Sequence, residues 1–140
     1  MLTDMHTIRL AYIGVAWLFL ACVVVQVFLA GLGVFAGAQD FSLHREFGYV
    51  FGWLTVVLLL LALVGRLGRR WISLSALILV LFAFQSVFVA LREVMPALAA
   101  LHPVNALAIF GVALHLSRRS LVLANDRSAT VEPASEAGRA

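Results

Sequence analysis

The chain has 140 residues, of which 64% are apolar and only 12% charged; its mean hydropathy is +1.06 and its formal net charge +3. Soluble domains run near half apolar and a quarter charged, so the composition excludes a soluble globular fold and points to a single-domain integral membrane protein. The basic excess consists of ten arginines and no lysine, clustered at the ends of apolar runs; it reads as a topology signal, and no nucleic-acid partner is expected.

Residues 1–9 form a short polar lead. The first apolar run then extends from Leu10 to about Ala38 without a charge, and Gln26 is its one strongly polar side chain. The A-x-A-like element Ala36–Ala38 follows an apolar stretch about twice the length of a signal-peptide core. The "FLAC" before Cys22 lies inside the same uninterrupted run. Both are read as parts of a span. The single cysteine has no internal disulfide partner and is read as a packing residue.

Residues 39–46 are expected to form an outer loop, with Asp40, His44, Arg45 and Glu46 in it. The second apolar run, Phe47 to Gly65, carries Gly48 and Gly52 about one helical turn apart. Arg66, Arg69 and Arg70 follow. The third run, Trp71 to Leu91, holds one strongly polar residue, Gln85, and a second outer loop is expected over 92–101, with Arg92 and Glu93. The fourth run, from about Pro103 to Leu116, is short for a crossing of roughly 20 residues. It reaches full length by starting near Leu98 or running on to Leu123. Residues 124–140 are polar, small and Pro-containing, the composition of a disordered tail.

Backbone groups in lipid must be satisfied internally, and the runs lack the alternation of a barrel. The expected fold is therefore an all-α bundle of four transmembrane helices, up-down-up-down, over residues 10–123. Arg9, Arg66, Arg69, Arg70, Arg118, Arg119, Arg127 and Arg139 fall on one side of this layout, and only Arg45 and Arg92 on the other. The positive-inside rule then places both termini in the cytoplasm and the two loops outside, in a multi-pass protein of a bacterial inner membrane.

The two halves resemble each other. "QVFLAGLGVFAGAQDFSLHREFGYVFG" and "QSVFVALREVMPALAALHPVNALAIFG" each begin with a span-borne glutamine. Each then leaves the membrane through a short loop and opens the next span with a histidine. A small residue follows four positions on, Gly48 or Ala106, and a glycine further on, Gly52 or Gly111. Read as a duplicated hairpin, the pattern sets His44 and His102 at equal depth on the second and fourth helices, diagonal neighbours in a four-helix bundle. Two imidazoles across a bundle, over small residues, suit a flat macrocycle, and histidine is a common haem axial ligand. One haem b, ligated by His44 and His102 over Gly48, Gly52 and Ala106, is the expected cofactor. Arg45 and Arg92 are placed to meet its propionates, or are solvated loop charges. Gln26 and Gln85 contact the ring or, more simply, hydrogen-bond between helices. His115 has no ligating counterpart on the second helix, where Val57 and Leu58 stand at its depth, and it is expected to be dispensable.

The "LHREFGY" around His44–Arg45 and the "LHPVNAL" around His102 resemble the histidine elements of haem A synthases. That resemblance covers roughly residues 10–118 and implies one four-helix half of such an enzyme, with a histidine pair on its second and fourth helices near the outer surface. The chain is also similar to an uncharacterised group of short bacterial four-span proteins with this His and Gln pattern. It departs from the synthases in having one bundle, no long first outer loop with a cysteine pair, and at best Asp40 for the acid before the histidine. The whole enzyme would need a homodimer. Two functions follow as expectations: a b-type haem protein for electron transfer or haem handling with a membrane redox partner, or a haem-free accessory subunit that packs against a partner. No catalytic residue is assigned. A transporter is disfavoured, because no span is broken and no acid lies mid-membrane.

Overall fold

The structure, a computed structural model, describes residues 2–37 and 41–125. Its helices are α1 (Leu2–Phe35), α2 (Phe41–Val64), α3 (Arg69–Ala90), α4 (Pro96–Ala99), α5 (Leu101–Ser120) and α6 (Val122–Asn125). Four segments are long and apolar enough to cross a membrane: Met5–Phe35, Phe41–Val64, Arg69–Ala90 and Pro96–Ala124. The last joins α4, α5 and α6, which is how the short fourth apolar run reaches crossing length. The chain is thus a multi-pass helical bundle suited to a bilayer. Of the tail expected over 124–140, Ala124 and Asn125 are helical, as the end of α6, and the rest lies outside the described residues.

Several boundaries differ from the sequence reading, and the loop expected over 92–101 contains α4 and the first residue of α5. The nine-residue lead is helical from Leu2, so α1 has 34 residues, about 51 Å at 1.5 Å per residue. That exceeds a hydrocarbon layer of about 30 Å. The expected loop 39–46 is also helical from Phe41 onward. Charge sets the edge of an apolar run, but a helix continues into the interface, where water satisfies Arg45 and Glu46.

Along each long helix the inward residues recur at alternating steps of four and three. On α2 they are His44, Gly48, Phe51, Thr55, Leu58 and Ala62. On α3 they are Trp71, Ser75, Ile78, Phe82 and Gln85. This is the seam of helices packed near +20°. The opposite faces are apolar and exposed, including Phe28, Tyr49, Val50 and Trp53. A soluble protein hides such a surface; here lipid covers it.

Because lipid tails are as apolar as leucine, small residues and interhelical hydrogen bonds hold such bundles together. Ala16, Gly48, Ala62, Ser75, Ala113, Ser117 and Ser120 are all buried. Tyr12 Oη and Ser75 Oγ share a hydrogen bond of 2.9 Å, and Ser117 Oγ donates to the Ala16 carbonyl at 3.0 Å. Each helix packs on two neighbours, in the ring α1–α2–α3–α5. The diagonal pairs α1/α3 and α2/α5 keep their Cα atoms more than 8 Å apart among the described residues. Only side chains bridge those diagonals.

The seam also carries the internal repeat. Tyr12 of α1 corresponds to Trp71 of α3, Phe19 to Ile78, Val23 to Phe82 and Gln26 to Gln85. His44 of α2 corresponds to His102 of α5, Gly48 to Ala106, Phe51 to Ile109 and Leu58 to Leu116.

Candidate functional site

His44 stands in the first turns of α2 and His102 at the start of α5, both half-buried on the inward seam. Their rings bridge the α2/α5 diagonal, with centroids 6.2 Å apart and planes inclined at 63°. Extending α2 back to Phe41 is what sets His44 on the seam that runs through Gly48 and Phe51.

Each histidine is tied to the preceding span in the same way. His44 Nδ1 lies 3.0 Å from the Gln26 carbonyl, and His102 Nδ1 lies 3.2 Å from the Gln85 carbonyl. A carbonyl oxygen only accepts, so Nδ1 carries the proton in both rings. In the neutral ring that leaves Nε2 with a lone pair, the tautomer in which a histidine ligates metal through Nε2 while a carbonyl holds its other nitrogen. Neither Nε2 has a hydrogen-bond partner among the described residues.

The glutamine side chains serve the helix packing. Gln26 Nε2 donates to the His44 carbonyl at 2.8 Å. Asn105 Nδ2 donates to Gln85 Oε1 at 2.9 Å and to the Leu81 carbonyl at 2.8 Å. Asn105, three residues after His102, escaped the sequence reading because the first half has no polar counterpart there: that position is Phe47. Its presence on the inward face of an apolar run was the available signal. Gln26 Oε1 is buried and has no hydrogen-bond partner. An unmet buried acceptor is costly, and this one stands beside the histidine pair.

The glycines are closely approached, by protein side chains. A Cβ on Gly48 would lie 2.9 Å from Gln26 Nε2, and one on Gly52 would lie 2.5 Å from Phe82 Cε1. Ala106 occupies the Gly48 position on α5 and is half-buried. Below the histidines Phe47, Phe51, Phe82 and Phe19 form a continuous aromatic layer, with neighbouring centroids 5.2–6.2 Å apart. Arg45 and Arg92 are exposed at the rim and paired with their own neighbours, Glu46 and Glu93, at 3.0 and 3.1 Å. Such pairs are worth little in water and leave guanidinium donors free. His115 lies away from the pair, at the opposite end of α5 and off the inward seam, 3.3 Å from Arg70 Nη2. No group of three or more potential metal-binding side chains occurs among the described residues.

A family of unknown function, DUF6220, matches residues 26–91, a little under half of the chain, a stretch that holds Gln26, His44 and Gln85. No curated protein and no solved structure matches. The chain is thus similar to an uncharacterised family over its central region.

Proposed function

We propose that the protein binds one b-type haem between His44 and His102 and serves in electron transfer or haem handling. The observation that carries this reading is the histidine pair itself. The ring centroids stand 6.2 Å apart, within the span that two imidazole nitrogens sharing one metal at about 2.0–2.1 Å each can cover. The tautomer fixed by the Gln26 and Gln85 carbonyls presents the nitrogen such ligation needs. Two neutral nitrogens without a third protein ligand suit a metal that brings its own equatorial donors.

His44 and His102 would hold the iron, with Arg45 and Arg92 at the rim for propionates. Haem held by these two imidazoles would supply one-electron transfer. The remaining residues orient and insulate. Gln26 and Gln85 fix the imidazole rings, and the phenylalanine layer excludes water from below. The one-bundle architecture leaves haem A synthase activity to a dimer at most.

A second reading has its own observation. The space at Gly48 and Gly52 is taken by Gln26 and Phe82, and 6.2 Å is also an edge contact between two rings. On this reading the polar cluster pins the helices of an accessory subunit. Colour separates the two. Protein expressed with ample haem supply and purified in detergent should show a Soret band. His44→Ala and His102→Ala should each abolish or strongly weaken it, and His115→Ala should leave it unchanged. Arg45→Ala should weaken retention less, because water can solvate a propionate at the interface. A folded, colourless wild-type protein would establish the accessory reading.

A further inference from the structure

The end of the bundle opposite the histidine pair gathers arginines, with Asp4 of α1 placed at the same end. Arg66 closes α2, Arg69 and Arg70 open α3, and Arg118 and Arg119 stand in the last turn of α5. The last pair complements the negative end of its helix dipole. Arg69 and Arg70 do the reverse: they add charge to a positive helix end whose first turn holds no acid. Glu46 and Glu93, which pair with arginines, are both at the other end. Arg66, Arg69, Arg70, Arg118 and Arg119 outnumber Asp4 there, so among the described residues this end carries a net positive charge.

A shallow, open cleft of about 540 Å³ runs along one face of α5 at this end, lined by Gly111, Leu114, His115, Arg118 and Arg119, all of that one helix. Its two halves differ in chemistry. Gly111 is exposed and a Cβ on it would meet nothing within 4 Å, so the cleft there is open to lipid, while Leu114 beside it is half-buried against the core. His115, Arg118 and Arg119 rim the end of the helix. Arg70 reaches across from α3 to donate to His115 Nε2 at 3.3 Å, which leaves the His115 Nδ1 proton free to donate. Guanidinium groups and an N–H donor border the polar part, and Gly111 and Leu114 form the apolar part beside it.

We infer that this cleft binds the headgroup phosphate of an anionic phospholipid, with an acyl chain along Gly111 and Leu114. Basic side chains near the membrane surface attract anionic headgroups chiefly through their charge. A soluble phosphate compound would use the rim but not the apolar part. The site is independent of the haem.

The test is native mass spectrometry of the full chain in detergent, titrated with phosphatidylglycerol or phosphatidylcholine. The phosphatidylglycerol adduct should appear at a concentration roughly tenfold lower or more, since each arginine near the surface contributes on the order of a tenfold factor or less. Replacing both arginines (Arg118→Gln with Arg119→Gln) should abolish that preference. The charge-conserving pair Arg118→Lys with Arg119→Lys should keep most of it, and Arg45→Gln at the far end should change nothing. Equal binding of the two lipids overturns the inference, as does a preference unaltered by the double glutamine variant. Displacement of the lipid by inorganic phosphate at concentrations below those of the lipid itself would assign the rim to a soluble ligand and overturn the lipid assignment.

Discussion

A Cβ at Gly52 would sit 2.5 Å from Phe82 Cε1, and one at Gly48 would sit 2.9 Å from Gln26 Nε2. The contacts are similar in length but differ in what can yield. The Phe82 ring is wedged among Phe19 and Phe51 and cannot retreat without moving them. Gln26 ends in a flexible amide. Gly52→Ala should therefore destabilise by about 1–3 kcal/mol, the usual cost of overpacking, and Phe82→Leu in the same chain should recover part of it. Gly48→Ala should cost less, about 0.6–1.7 kcal/mol, if it only breaks the Gln26–His44 hydrogen bond. Unfolding of both variants in mixed detergent measures the order; a larger loss at Gly48 would mean that Gln26 is held as firmly as the ring.

The turn between α2 and α3 is built unusually. Arg66 has φ 47°, a left-handed conformation that an L side chain adopts at a cost, and Gly68 follows at φ 97°. The turn closes through Arg66 N–H to the Leu63 carbonyl at 3.1 Å and Leu67 N–H to the Ala62 carbonyl at 3.1 Å. This is the helix-ending pattern that favours glycine at the left-handed position. Arg66→Gly should raise stability by up to about 1 kcal/mol through relief of that cost, seen as a higher midpoint in thermal unfolding in detergent. An unchanged or lower midpoint would show that the side chain makes a compensating interaction. Arginine at a position suited to glycine is consistent with selection for charge at this end of the bundle.

At the scale of the molecule, four crossings and the arginine distribution combine into a topology. Arg66, Arg69, Arg70, Arg118 and Arg119 share one end of the bundle and Arg45 and Arg92 the other. The positive-inside rule then expects reporter fusions after residues 40 and 96 to behave as external, and fusions after residue 68 and at the C-terminus as cytoplasmic. An inverted pattern would move the histidine pair to the cytoplasmic side and redirect the search for its partner. The seam correspondences, from Tyr12 with Trp71 to Leu58 with Leu116, make the bundle two copies of one hairpin. The copies differ at the site, with Gly48 against Ala106 and Phe47 against Asn105.

The sequence by itself determined the membrane setting, the four helices, the repeat and the equal depth of His44 and His102. Each of these follows from composition, run length or spacing along one chain, which are local quantities. Only the tertiary structure decided what stands beside what. The helical start at Phe41 was hidden because interfacial charge ends an apolar run without ending a helix. The roles of Gln26 and Gln85 divide between backbone and side chain, their carbonyls holding the imidazoles and their amides meeting the His44 carbonyl and Asn105. The glycine face looked vacant in sequence, where a missing side chain shows only that something may come close. Packing across three helices put Gln26 and Phe82 there, because the identity of a neighbour is fixed by the register between helices, and register depends on every contact along the seam at once.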